Sequence, residues 1–149
     1  MKEIYLTKNP EETKRIAASL ASRVLKSGFG SKAFLIGLTG DLGGGKTTFV
    51  QGFARGLGLK KKILSPTFLI MKRFTIKDPR FTNLYHLDCY RIKKAKEVLD
   101  IGIKEIMKNP QNIVVIEWAD KIKKALPLKT LWIDFDFVDE KTRKIIIKS

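Results

Sequence analysis

Apolar positions recur along this chain with two periods, and the switches between them mark its elements. KEIYL (2–6) has the look of a short strand. Over 9–26 the period changes: Ile16, Leu20 and Val24, with Ala17 and Ala21, form one stripe at helical spacing. Asn9 can cap that helix, Pro10 suits its first position, and Glu11 and Glu12 suit the positive end of its dipole. AFLIGL (33–38) is an unbroken apolar run, the signature of a strand buried on both faces. Helical spacing returns with Phe49, Val50, Phe53, Ala54 and Leu57, and Gly58 can end that helix.

The second half alternates more. RFTIKDPRFTNLYHL predicts two strands around an Asp-Pro turn near 77–80. Residues 94–108 are expected to be helical with a break at Gly102, and NIVVIEW (112–118) is a second buried strand. DKIKKAL is a short helix that Pro127 stops. Leu131, Ile133, Phe135 and Phe137 alternate with Trp132, Asp134 and Asp136, which predicts an antiparallel strand with one wetter face. TRKIIIK would be its hairpin mate. The pattern implies one α/β domain spanning 1–149: a mixed, partly parallel central sheet in three layers, with antiparallel strands at the margins.

Between the first buried strand and the second helix stands GDLGGGKTTF (40–49), which explains why so many glycines are tolerated at one place. Gly40-x-x-x-x-Gly45-Lys46-Thr47 is the phosphate-binding P-loop pattern in its strand–loop–helix context. The backbone N–H groups of Asp41, Leu42, Gly43, Gly44, Gly45, Lys46, Thr47 and Thr48 can converge on phosphate oxygens, helped by the helix N-terminus. Lys46 can neutralise the terminal phosphates, and the Thr47 hydroxyl suits a magnesium ion. In open α/β sheets ligands sit beyond the carboxyl ends of the strands. Two acids are delivered there: Glu117 by NIVVI, and Asp88 by NLYHL. Alternation sets His86 on the face of Asp88, where a hydrogen-bonded structural role is expected for it. Ser65 and Thr67 flank Pro66 just after the P-loop helix and could form a segment that senses the γ-phosphate.

Charge and composition add bounds. Lys and Arg number 30 against 15 acids, a formal net charge of +15, beyond the roughly 2–8 that keeps a small domain soluble. A polyanionic partner such as RNA fits that excess. So does a solvated lysine surface, since lysines outnumber arginines 23 to 7 and phosphate recognition favours arginine forks. No apolar run approaches the roughly 18 residues of a membrane span. The charged N-terminal stretch lacks the apolar core of a signal peptide, and a lone cysteine, Cys89, fits a reducing, cytoplasmic setting.

The order of four motifs is more specific than any one of them. GDLGGGKTTF, SPTF, YHLDCYRI and IEWAD, taken in sequence, resemble the bacterial TsaE family, formerly called YjeE, over most of the chain from NPEETKRIA to about Pro127. The resemblance implies a small ATPase using ATP and Mg2+, needed for threonylcarbamoyladenosine in tRNA, and working with TsaD and TsaB; tRNA would be met through that complex. It further implies that Lys46 holds phosphate, that Thr47 and Glu117 serve the metal, and that Asp88 orders metal-bound or attacking water. Trp118 would lie beside the nucleotide or a partner, Ser65 and Thr67 in a switch, and Arg91 toward a partner. Gly44, Cys89 and Ala119 depart from the residues usual in the family, and none of these removes a catalytic group. The alternative is a small P-loop kinase of a metabolite or nucleoside, which would need an arginine-bearing lid; the arginines here are few and scattered. An RNA-binding module would interleave aromatics with its basic residues, and the runs at 60–62, 93–94 and 123–124 lack them.

Overall fold

The computed structural model describes residues 2–28, 30–41, 43, 45–64 and 70–149. Strand β1 (Lys2–Thr7) leads into helix α1 (Pro10–Ser27), β2 (Phe34–Gly40) and α2 (Lys46–Gly56). Next come β3 (Met71–Thr75), β4 (Asn83–Asp88), α3 (Lys96–Asp100), α4 (Ile103–Lys108) and β5 (Asn112–Glu117). A 3-10 turn (Ala119–Ala125) and the strands β6 (Leu131–Phe137) and β7 (Arg143–Lys148) complete it. The strands form one sheet in the order β1-β7-β6-β2-β5-β4-β3. Its middle, β6-β2-β5-β4, is parallel; β7, β1 and β3 are antiparallel margins.

Local chemistry sets the elements. The Asn9 Oδ1 accepts from the Glu12 N–H at 2.9 Å, and the Glu12 Oε1 reaches back to the Lys8 N–H at 2.6 Å. One orphan donor at the start of α1 is thereby satisfied, and the residue before the cap is tied to the first turn. Asp78 accepts from the Arg80 backbone and guanidinium, which fixes the turn between β3 and β4. The helical stretch after β4 is two short helices, because Gly102 adopts φ 87° between them. Strand β5 is buried throughout, as its apolar run requires. Its alternate residues feed two cores: Ile113 and Val115 face α1 and α2, while Val114 and Ile116 face the short helices and the 3-10 turn.

Strand β6 is antiparallel to β7, as its alternation suggests, but its other neighbour is β2, to which it runs parallel. That pairing brings β6 against the phosphate loop.

Helices α1 and α2 cross at unusually short range. A Cβ on Gly52 would lie 2.4 Å from the Lys14 Cα, and one on Gly56 would lie 2.7 Å from the Ala18 Cα. These are backbone obstacles, so a methyl group can be admitted only by prying the helices apart. Gly52→Ala is therefore expected to lower stability by about 1–3 kcal/mol despite the better helix propensity of alanine. The urea midpoint checks it; a midpoint at or above the parent's would contradict the close crossing.

Candidate functional site

The phosphate loop begins where β2 ends. Gly40 has φ 124°, and a Cβ there would lie 2.0 Å from the Phe135 carbonyl oxygen. No side chain fits, so β6 can press directly on the loop, and the Asp41 N–H donates to the same carbonyl at 3.3 Å. Helix α2 starts at Lys46, with Gly45 before it at φ 100°. Its first turn is held over the sheet by Phe49, whose ring meets Phe135 edge-on at 5.4 Å.

Lys46 is buried and curls back over its own loop. Its ammonium donates to the Gly40 and Asp41 carbonyls, each at 2.9 Å, and lies 4.0 Å from the centre of the Trp118 ring. Burial pulls its pKa below the ordinary lysine value, and Glu117, Asp41, Asp120 and Asp88 oppose that shift. Trp118 itself has φ 58°, the one non-glycine with positive φ among the described residues. Such a conformation costs about 1–2 kcal/mol, and it turns the indole across the mouth of the site beside Tyr90, 5.0 Å between ring centres.

Strands β4 and β5 end in register, Asp88 opposite Glu117. Glu117 is 2% exposed. Its Oε1 accepts from the Thr47 hydroxyl at 2.9 Å, and its Oε2 lies 2.6 Å from the His86 Nε2. Asp88 accepts from the Tyr90 N–H at 2.9 Å. Half-burial, with Glu117 nearby, holds its carboxyl above the usual aspartate range.

Lys46, Thr47, Thr48, Gly43, Gly45, Asp88, Glu117, Trp118 and Tyr90 line one pocket of about 300 Å3. A second hollow of about 320 Å3 shares Gly43, Gly45 and Thr48 with it and continues past Lys8, Asn9 and Arg143. Larger hollows lie near Phe34 and Pro127, and near Lys60 and Thr75, at the opposite ends of the strands. Of the residues singled out in the sequence, Asp41 contributes a carbonyl to Lys46, and Arg91 is exposed just after β4, outside the residues lining the pocket. Leu42, Gly44, Ser65 and Thr67 lie outside the described residues.

Several contacts were not foreseen. The Arg143 guanidinium, on β7, donates through Nε to the Gly43 carbonyl at 2.8 Å and through Nη1 to the Asp139 carbonyl at 2.7 Å. Its signal in the sequence was only an arginine opening the last strand. Tyr90 and Lys8 were likewise unmarked. His86 was placed on the right face, but its carboxylate partner lies on another strand.

Oxygen donors dominate the pocket, and Thr47 Oγ1 and Glu117 Oε1 lie side by side. Among the described residues no group of three or more His, Cys, Asp or Glu is built to cage a metal. A few hard oxygens next to a phosphate loop fit magnesium, which binds through one or two carboxylates plus substrate phosphates.

The family model described as "Threonylcarbamoyl adenosine biosynthesis protein TsaE" matches residues 7–145. The chain is 38% identical over 146 residues to the tRNA threonylcarbamoyladenosine biosynthesis protein TsaE of Bacillus subtilis, covering 97% of this chain and 85% of that protein. It is 36% identical over 110 residues to the protein of that name from Treponema pallidum, covering 74% of this chain and 78% of that one. Among solved structures it is similar to the crystal structure of Bacillus subtilis YdiB, with a TM-score of 0.75, 33% identity, and coverage of 99% of this chain and 84% of that one. With its P-loop fold and this match across nearly its whole length, the chain belongs to the TsaE family of tRNA threonylcarbamoyladenosine biosynthesis proteins.

Proposed function

We propose that this protein binds ATP with Mg2+ and hydrolyses it in support of threonylcarbamoyladenosine formation on tRNA, acting in the cytoplasm with TsaD and TsaB. The observation that carries the reading is the convergence of Lys46, Thr47, Asp88 and Glu117 on one pocket at the phosphate loop. The Lys46 ammonium would leave the Gly40 and Asp41 carbonyls for phosphate oxygens, trading two neutral acceptors for charged ones. Thr47 and Glu117 would hold the metal, which when bound neutralises charge developing on the phosphates. Asp88 would orient the attacking water and accept its proton. The hollow by Lys8, Asn9, Glu140 and Arg143 continues from the loop and is not lined by Asp88 or Glu117, so the nucleoside end of ATP would lie there.

ATP turnover by the protein alone, and then with TsaD and TsaB, tests the reading. Turnover that depends on Lys46 and rises with the partners supports it; phosphoryl transfer to a metabolite instead of water would support a kinase.

Two further results are expected. Asp88 can accept a proton only when ionised, and burial raises its pKa. Turnover should therefore fall on acidification at a pH above the ordinary aspartate value of about 3.9. Asp88→Asn should remove that limb and lower the rate at least about tenfold. A pH–rate profile on both proteins checks it.

The second concerns the excess charge. Lys93 and Lys94 follow β4 at the site edge and are exposed, their backbone N–H groups held by Glu97. Lys60 and Lys61 line the distant hollow with Thr75 and Lys77. Reversing Lys93 and Lys94 to glutamate should weaken stimulation by partners or tRNA, while reversing Lys60 and Lys61 should matter less. The defect should shrink as salt rises. Equal stimulation in both double variants and the parent would make the excess charge a solvated surface only.

A further inference from the structure

The Glu117 carboxylate can rotate about its last side-chain bond, and its position at the end of β5 does not fix the plane in which its two equivalent oxygens lie. His86 lies against one of them. This side chain is 0% exposed, on β4, one strand over, with its Nε2 2.6 Å from the Glu117 Oε2. Among the described residues, its Nδ1 is the one buried side-chain nitrogen or oxygen with no hydrogen-bond partner. An orphaned lone pair is less costly than an orphaned N–H, so the ring proton belongs on Nε2 and is donated to Oε2. The unpartnered nitrogen is a cost carried alongside the pairing of the buried Oε2, a contact that an apolar residue at this core position would not make.

We infer that His86 is a positioning residue for the metal: it pins Oε2 of Glu117, leaving Oε1 aimed at the Thr47 hydroxyl and the phosphate loop. The inference rests on the reading of this pocket as a magnesium–nucleotide site. It assigns His86 no contact with nucleotide or metal, only with the carboxylate that would bind the metal. Partners behind a ligand of this kind typically change metal affinity 10–100-fold when removed.

The amide nitrogen of asparagine superposes on the imidazole Nδ1, and that of glutamine on Nε2. His86→Asn therefore removes the donor to Glu117 and His86→Gln retains it, while both keep a polar group. ADP binding is titrated calorimetrically with EDTA and again across a series of MgCl2 concentrations. Metal-free ADP affinity should equal the parent's in both variants. The Mg2+ concentration at half-effect should rise 10–100-fold in His86→Asn and stay near the parent's in His86→Gln. Asparagine and glutamine variants that behave alike, or that lose ADP affinity without metal, would overturn the inference. A parent whose ADP binding ignores Mg2+ would instead overturn the metal–nucleotide reading. A measurement on the parent needs no variant to fold: the chain has one histidine, so its ring 15N signals are unambiguous. The proton should be on Nε2, with and without Mg2+ and ADP; a proton on Nδ1 alone would overturn the inference.

Discussion

Lys46→Ala is expected to weaken ATP binding by about 10–100-fold, the equivalent of one charge-assisted contact of about 1.5–3 kcal/mol. The loss should come without a collapse of the fold. The Lys46 ammonium is buried, and that burial lowers its pKa against the pull of the nearby acids. Removing it deletes a desolvated charge along with its hydrogen bonds to Gly40 and Asp41 and its contact with the Trp118 ring. The two effects offset each other in the free protein and not in the complex. Calorimetry of ATP binding, with a thermal melt of the free variant, separates them. Unchanged affinity would refute the phosphate-loop reading, and lost affinity accompanied by a large drop in melting temperature would make Lys46 chiefly a structural residue.

Glu117→Gln is the second large effect. The substitution preserves shape, yet the neighbours dictate how the amide sits. His86 donates toward Oε2 and so selects the amide oxygen, which turns the NH2 group toward Thr47 and the metal position. A donor then faces the metal where an acceptor stood. ATP affinity without metal should persist, whereas turnover should fall at least about tenfold, about 1.4 kcal/mol of transition-state stabilisation. Single-turnover measurement at saturating nucleotide and a range of Mg2+ checks this. Undiminished hydrolysis would shift the essential acid to Asp88.

Much of this arrangement was legible because it is local. The Asn9 cap, the P-loop between a buried strand and a helix, and the acids ending β4 and β5 each follow from a few adjacent residues. Alternation along β6 told which residues face the core, but no local pattern says that β2 lies beside it. Arg143 and Gly43 meet because β7 folds back along β6, a contact set by sheet order. Gly52 and Gly56 read as ordinary helix positions; their purpose appears only with α1 laid across them. The inward curl of Lys46 onto the Gly40 and Asp41 carbonyls was also unreadable, since the P-loop pattern places the lysine but not the direction its ammonium turns.

The pairing of β1 with β7 has a consequence for how the protein is made. β1 leaves the ribosome well before the strand it hydrogen-bonds to, β7, with every other strand and helix of the sheet made between them. Until then β1 has a bare edge on each side, with Ile4 and Leu6, exposed even in the finished fold, beside it. Pairing so distant in sequence is slow to form and leaves the nascent chain open to sticking. Arg143 arrives on the same late strand. Closure of the sheet by β7 and the Arg143 contact to the phosphate loop both wait for that strand, and a stalled chain ending before it would have neither.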